Sequence, residues 1–237
     1  MCDDEKQNVR QVIANSLAYY DVSFNGWSGL ARKTCLQYDL PDPLQLMQNP
    51  WRSDRWRQFC KDKIILHWEE MLKKNVEGSQ AGILLDTTTL SLSKPLKIWE
   101  QAGLCSANVM KTTVVSWMLF GVYQTNDILV KMKLRQSAAC LGCSEMNESL
   151  SHIIFECPHY QKIREDFLPE LLTLNQKIPQ ILDSEYLKLI IILDPESPKL
   201  PPDVRKSWTS LERVYEACRN FCHDIHMKRK KLIDENR

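Results

Sequence analysis

Three cysteines and one histidine, Cys140, Cys143, His152 and Cys157, fall within eighteen positions of a 237-residue chain. Their order, C-x2-C-x8-H-x4-C, supplies three thiols and an imidazole, donor types that zinc takes in a tetrahedral set of four. With every position filled by protein, such an ion is structural, because nothing is left to polarise a substrate or activate water. Gly142 lets the backbone turn back between the first two sulfurs, and His152 and Cys157 fit the first turn of a helix and its continuation. The chain holds nine Cys and five His, and four of those fourteen sit here. Chance spacing would have to account for that crowding. The expected cofactor is one Zn2+, which contributes on the order of 10–16 kcal/mol in small finger peptides.

Other clusters carry less chemistry. Cys218, Cys222, His223 and His226 form a second candidate set, but both cysteines lie on an apolar seam and read as small buried hydrophobes. His223 and His226 point away from that seam, and His67 and His159 stand alone. No G-x-S-x-G, phosphate-binding loop, G-x-G-x-x-G or H-E-x-x-H is present. The acidic pairs Asp3-Asp4 and Glu69-Glu70 read as solvated charge. The chain is not expected to be an enzyme.

Lys plus Arg is 31 against 30 Asp plus Glu, a net charge of +1. Any electrostatic footprint for nucleic acid must therefore be local. Lys131, Lys133 and Arg135 precede the knuckle on what reads as a helix, and Lys228, Arg229, Lys230 and Lys231 form a run near the end. These seven are the candidate nucleic-acid contacts, with RNA or single-stranded DNA as the partner. Arg52, Arg55, Arg57, Lys61 and Lys63 interleave with Trp51 and Trp56. Because Trp56 also belongs to an apolar stripe, that cluster reads equally well as an ordinary wet helix face.

These residues need elements to hold them. Only 7 residues are Gly, too few for the many turns of a sandwich or barrel, so helices are favoured. The pattern predicts helices over 5–20 and 24–38, broken at Asp21–Phe24 and closed by Pro41 and Pro43. A long helix follows, capped by Ser53 or Asp54, with Trp56, Phe59, Ile64 and Trp68 on its stripe. Another spans Asn108–Val122, and one opened by Pro158 should stop or kink at Pro169. Periodicity leaves the type of Leu187–Leu193 open. Asp203 reads as a cap, and Val204, Trp208, Leu211, Tyr215, Cys218, Cys222 and Ile225 step by four and three as a heptad seam. The fold class is mainly α: an irregular helical domain with a small zinc knuckle and a long C-terminal helix. Expected segments are 1–76, a helical connector; 77–105, a loop or short extended piece; 106–175, helix plus knuckle with its core at 140–157; and 176–237, a helical tail. The apolar stretches are too short for a membrane span. The polar start carries no secretory signal, and nine cysteines suggest reduced thiols, so an intracellular location, nuclear or cytoplasmic, is expected.

The knuckle region Leu134–Leu168, with Pro158, Tyr160 and Arg164 after its last ligand, resembles the C-terminal zinc-binding region of non-LTR retrotransposon reverse transcriptases. Met118-Leu119-Phe120-Gly121-Val122-Tyr123-Gln124-Thr125 looks like the Met-Leu-x-Gly-x-Tyr-x-Thr block before that family's knuckle. Val122 stands where the family often has a basic residue. Cys35–Pro43 with Trp68, and Leu193-Asp194 and Leu200-Pro201 with the closing helix, resemble flanking parts of the elements of marine invertebrates. The resemblance implies zinc ligands at Cys140, Cys143, His152 and Cys157 and a nucleic-acid-binding role. It implies no polymerase or endonuclease activity, since no aromatic-x-Asp-Asp motif occurs. Two rivals are a helical protein-interaction module, with a partner helix along 204–225, and a decayed reading frame without activity.

Overall fold

A computed structural model describes residues 3–19, 26–77, 83–181 and 183–235. Their regular backbone is helical, apart from one isolated antiparallel bridge between Ala139 and Asn147. The expected break at Asp21–Phe24 and part of the Gly- and Ser-rich stretch after Glu77 lie outside the described residues. The chain divides into two compact units, Met1–Leu72 and Lys73–Arg237.

The first unit holds α1 (Asp3–Tyr19), α2 (Trp27–Gln37), α3 (Pro43–Gln48) and most of α4 (Ser53–Glu77). Leu17, Ser28 and Gly29 are buried where the first helices meet. Pro43 opens a helix here and does not simply close the preceding segment: the Asp42 carboxylate accepts the Leu44 N–H at 2.8 Å, and proline needs no donor at a first helical position. No residue of α4 is buried. Its apolar stripe exists in sequence, yet Ile64 and Trp68 are exposed.

The second unit comprises α5 (Lys97–Glu100), α6 (Ser106–Leu119), α7 (Asn126–Lys131), α8 (Gln161–Leu174), α9 (Glu185–Leu193), α10 (Pro202–Lys206) and α11 (Leu211–Glu235). Its core forms where α11 packs against α6 and α8. Phe221 of α11 stacks on Phe167 of α8 with ring centroids 4.1 Å apart. On the other flank Val115 and Met118 of α6 are fully buried. Gly121 (φ +66°) reverses the chain after α6, with its N–H donating to the Met118 carbonyl and the Val122 N–H to the Trp117 carbonyl. That pair of bonds is a Schellman motif, which selects glycine for its left-handed residue.

Four expectations are corrected. Pro169 does not end α8, which runs on to Leu174. Proline removes one helical hydrogen bond, but Phe167, Leu171 and Leu174 share a buried face that holds the last turn in place. Pro201, not Asp203, is the N-cap of α10. The seam at 204–225 is not one helix: the chain turns between Lys206 and Leu211, with the Trp208 indole N–H donating to the Pro195 carbonyl at 3.0 Å. Beyond that turn the seam is used internally. Val214, Cys222 and Ile225 are 0% exposed under the chain's own helices, so the apolar seam of α11 is already covered from within the chain. Leu187–Leu193, open in the sequence, is helical, and Ser184 caps it by accepting the Leu187 N–H.

Candidate metal centre

Short-range hydrogen bonds build the knuckle before any metal is considered. The Glu148 N–H donates to the Ala138 carbonyl at 2.7 Å and the Cys140 N–H to the Met146 carbonyl at 2.8 Å. These pin a narrow hairpin with Cys140 and Cys143 at its tip. Inside the tip the Ser144 N–H donates to the Cys140 carbonyl at 2.9 Å, and Ser144 takes the left-handed conformation at φ +62°. Gly142 is not the left-handed residue. Its glycine is required by close approach, because a Cβ there would lie 2.8 Å from the His159 Cβ and 3.2 Å from the Cys157 sulfur.

The second pair of ligands sits on a turn that sequence spacing alone does not suggest. In an α-helix, residues five apart lie about 140° apart around the axis and cannot share a ligand. Here His152–Glu156 forms a single π turn, closed by the Cys157 N–H donating to the His152 carbonyl at 2.8 Å. The wider turn brings position 157 back beneath position 152.

The four ligand atoms lie within 4.8 Å of one another, and this is the cluster of its kind among the described residues. The Cys140 and Cys157 sulfurs are 3.6 Å apart, and the Cys143 sulfur is 3.4 Å from Nε2 of His152. Zinc–sulfur and zinc–nitrogen bonds of ordinary length give tetrahedral edges of about 3.8 Å and 3.6 Å. The donor set therefore fits zinc in size as well as in chemistry. Cys140, His152 and Cys157 are buried. Nδ1 of His152 faces the Glu156 carboxylate at 3.3 Å, a partner that fixes the ring and leaves Nε2 for the metal.

Electrostatics separate the thiols. Backbone N–H groups, Glu145 first, hold Cys143 down to about 7 against its own partial desolvation. Burial pushes Cys157 up to about 12 and raises Cys140 as well. Without a cation the buried pair would stay protonated. A divalent ion reverses that balance, since a coordinating thiol is deprotonated outright. Cys140, Cys143, His152 and Cys157 are thus a Cys3His set suited to a single structural zinc.

Sequence reasoning missed the residue that ties this centre to the fold. Glu148 is completely buried. Its Oε2 accepts the Leu141 N–H inside the knuckle at 3.0 Å. Its Oε1 accepts the Asn126 N–H at the start of α7 at 3.1 Å, together with Nε and Nη2 of Arg229 on α11. No local spacing rule marks such a residue, because its partners come from three separate segments. Glu156 was findable, as an acid one turn after a candidate histidine ligand.

The candidate nucleic-acid contacts divide. α7 ends at Lys131, and Lys133 is left-handed at φ +60° in a second Schellman motif, so Lys131 and Arg135 do not share a helical face. Lys131 is exposed, 3.5 Å from the Asp127 carboxylate. Arg135 donates from Nη1 to the Asn126 side-chain oxygen at 2.9 Å. Lys228 donates to the His159 carbonyl at 2.6 Å. Arg229 is only 5% exposed and belongs to the interior with Glu148, which removes it from the contact surface. At about 100° per residue, four consecutive basic residues encircle a helix, so a packed helix must turn one inward. Lys230 and Lys231 remain exposed. Cys218 and Cys222 are buried core residues, with Cys218 close to the Ile191 carbonyl.

Residues 91–163 match the family described as zinc-binding in reverse transcriptase. The match takes in both the Met118–Thr125 block and all four ligands. No curated protein and no solved structure matches the chain. No described helix is long and apolar enough to cross a membrane.

Proposed function

We propose that the chain is a nucleic-acid-binding segment of reverse-transcriptase origin, stabilised by one structural zinc and without catalytic chemistry of its own. The coincidence of the family match with a complete ligand set carries this reading. A closed Cys3His site leaves no coordination position for a substrate or water, so its value lies in fixing the surface around it. That surface presents Lys131 and Lys133 beside the knuckle, and Lys230 and Lys231 add charge on α11. The partner is RNA or single-stranded DNA, engaged largely through phosphates, and the absence of a polymerase motif in the sequence argues against a reaction. The interaction-module alternative loses its main support, because the seam it needed is covered.

The test has two parts. Elemental analysis should find one zinc per chain, lost in Cys143→Ser and in His152→Ala. Binding to single-stranded RNA should weaken with salt, and Lys131→Ala with Lys133→Ala should flatten the log–log slope by about 1.4 at unchanged zinc content. A zinc-loaded protein that binds no RNA or DNA even at low salt overturns the reading and favours a protein partner or no selected activity.

A further inference from the structure

The cations beside the knuckle are partly consumed by the fold; at the start of α4 Arg52 pairs with Asp54 and Lys63 with Asp39, but Arg57 and Lys61 face solvent. Residues 51–63 carry Arg52, Arg55, Arg57, Lys61 and Lys63 against only Asp54 and Asp62, a local excess in a chain of net charge +1. Three aromatic rings gather among them. Trp51 meets Trp56 and Phe59 edge-on at centroid distances of 6.0 Å and 5.0 Å, and Trp56 stacks on Phe59 at 6.2 Å. All three rings are half-buried and none is sealed into a core. The Arg55 guanidinium lies over Trp51, 4.9 Å from its centroid, and the Lys63 ammonium is 5.7 Å from that of Phe59. Arg57 and Lys61 are exposed one turn apart on the adjacent flank, with no carboxylate partner among the described residues.

A partner for this surface must offer flat apolar faces and negative charge at short intervals. An unpaired base offers its π-face and each nucleotide step adds a phosphate, whereas a duplex has already spent its faces on stacking. An acidic helix would satisfy the cations but leave the rings without a matching partner. We infer that Trp51–Lys63 is a platform for single-stranded nucleic acid, with bases stacking on Trp51 and Trp56 and phosphates held by Arg55, Arg57 and Lys61. This rests on the nucleic-acid reading above and gives it a second surface, in the Met1–Leu72 unit.

The experiment uses the full zinc-loaded chain, a fluorescein-labelled oligouridylate and an abasic strand of equal length. Trp51→Ala with Trp56→Ala should weaken oligouridylate binding by roughly tenfold or more while leaving the abasic strand little changed. Trp51→Phe with Trp56→Phe should recover most of the loss, because phenylalanine keeps a π-face. Arg57→Gln with Lys61→Gln, which leaves the rings untouched, should flatten the salt slope by about 1.4 on both strands. Zinc content should not change in any variant. If wild type binds and both the Ala and Gln pairs stay within about twofold of it, the platform is wrong and the knuckle reading survives. If wild type binds no strand at low salt, the parent reading fails first. Self-association of wild type that disappears in the Trp variants would assign the face to a second copy and overturn the proposal.

Discussion

Glu148→Gln is the substitution that most directly tests how the zinc centre is held. The Glu148 carboxylate is 0% exposed and receives N–H donors from Asn126, Leu141 and Arg229. Glutamine fits the volume but offers one acceptor oxygen and an NH2 group. Whichever way the amide turns, its NH2 faces a donor, either Leu141 or the pair formed by Asn126 and Arg229. The Arg229 guanidinium, 5% exposed, is left without its counter-charge. Removing one partner of a buried ion pair costs about 3–5 kcal/mol, against a typical domain stability of about 5–15 kcal/mol. Arg229→Met should cost a similar amount, since Glu148 then keeps two backbone donors but loses the charge. The double variant should cost less than the sum by about 1–3 kcal/mol, the mark of coupling. Because the Leu141 N–H sits between the first two ligands, Glu148→Gln should also release zinc to a chromophoric chelator more readily, by about 10–100-fold, as outer-shell changes do. The assays are denaturant unfolding followed by circular dichroism and zinc transfer to the chelator. Lys230→Ala, on the exposed side of α11, is the control and should shift stability by less than about 0.5 kcal/mol. A Glu148→Gln protein that matches that control, or strict additivity in the double variant, would refute the claim that this pair joins knuckle to core.

Gly142→Ala should destabilise by about 1–3 kcal/mol and loosen zinc, because the new methyl meets His159 and Cys157; unchanged unfolding and zinc transfer would show that the loop can shift freely. Lys133→Gly should stabilise by about 0.5–1 kcal/mol, since glycine tolerates the left-handed position that Lys133 holds after α7; thermal unfolding would show this as a raised midpoint, and a fall would mean that the lysine side chain contributes more than its backbone strain costs. Burial first, and repulsion from Glu196 second, push Asp194 up from 3.8 to about 6. The folded state then holds a proton that the unfolded state has lost, so this group's contribution is most favourable below about pH 4 and is lost by pH 6, a change of about 3 kcal/mol. Asp194→Asn should therefore gain about 2–3 kcal/mol at pH 7 and flatten the fall in stability between those pH values; equal pH profiles for the two proteins would contradict the argument.

What the sequence determined by itself is what depends on neighbours. The C-x2-C-x8-H-x4-C spacing identifies the ligands because chelation needs donors close along the chain, and the 3.6-residue period places α4, α6 and α11 because a helix is closed by bonds four residues apart. The Met-Leu-x-Gly block was legible only as a family resemblance, although its glycine serves a reversal complete within six residues. Tertiary structure decided everything that depends on which face turns inward. Nothing local says that Arg229 leaves the run Lys228–Lys231 for the interior, because its partner Glu148 lies 81 positions away in the chain. The seam at 214–225 advertises apolarity but not its recipient, and only the packing of α6 and α8 shows that the chain itself covers it. Pro169 reads as a stop until burial of Leu171 and Leu174 offsets the lost hydrogen bond. Even the second ligand pair needed more than spacing: His152 and Cys157 are five positions apart, and only a π turn brings both to one metal.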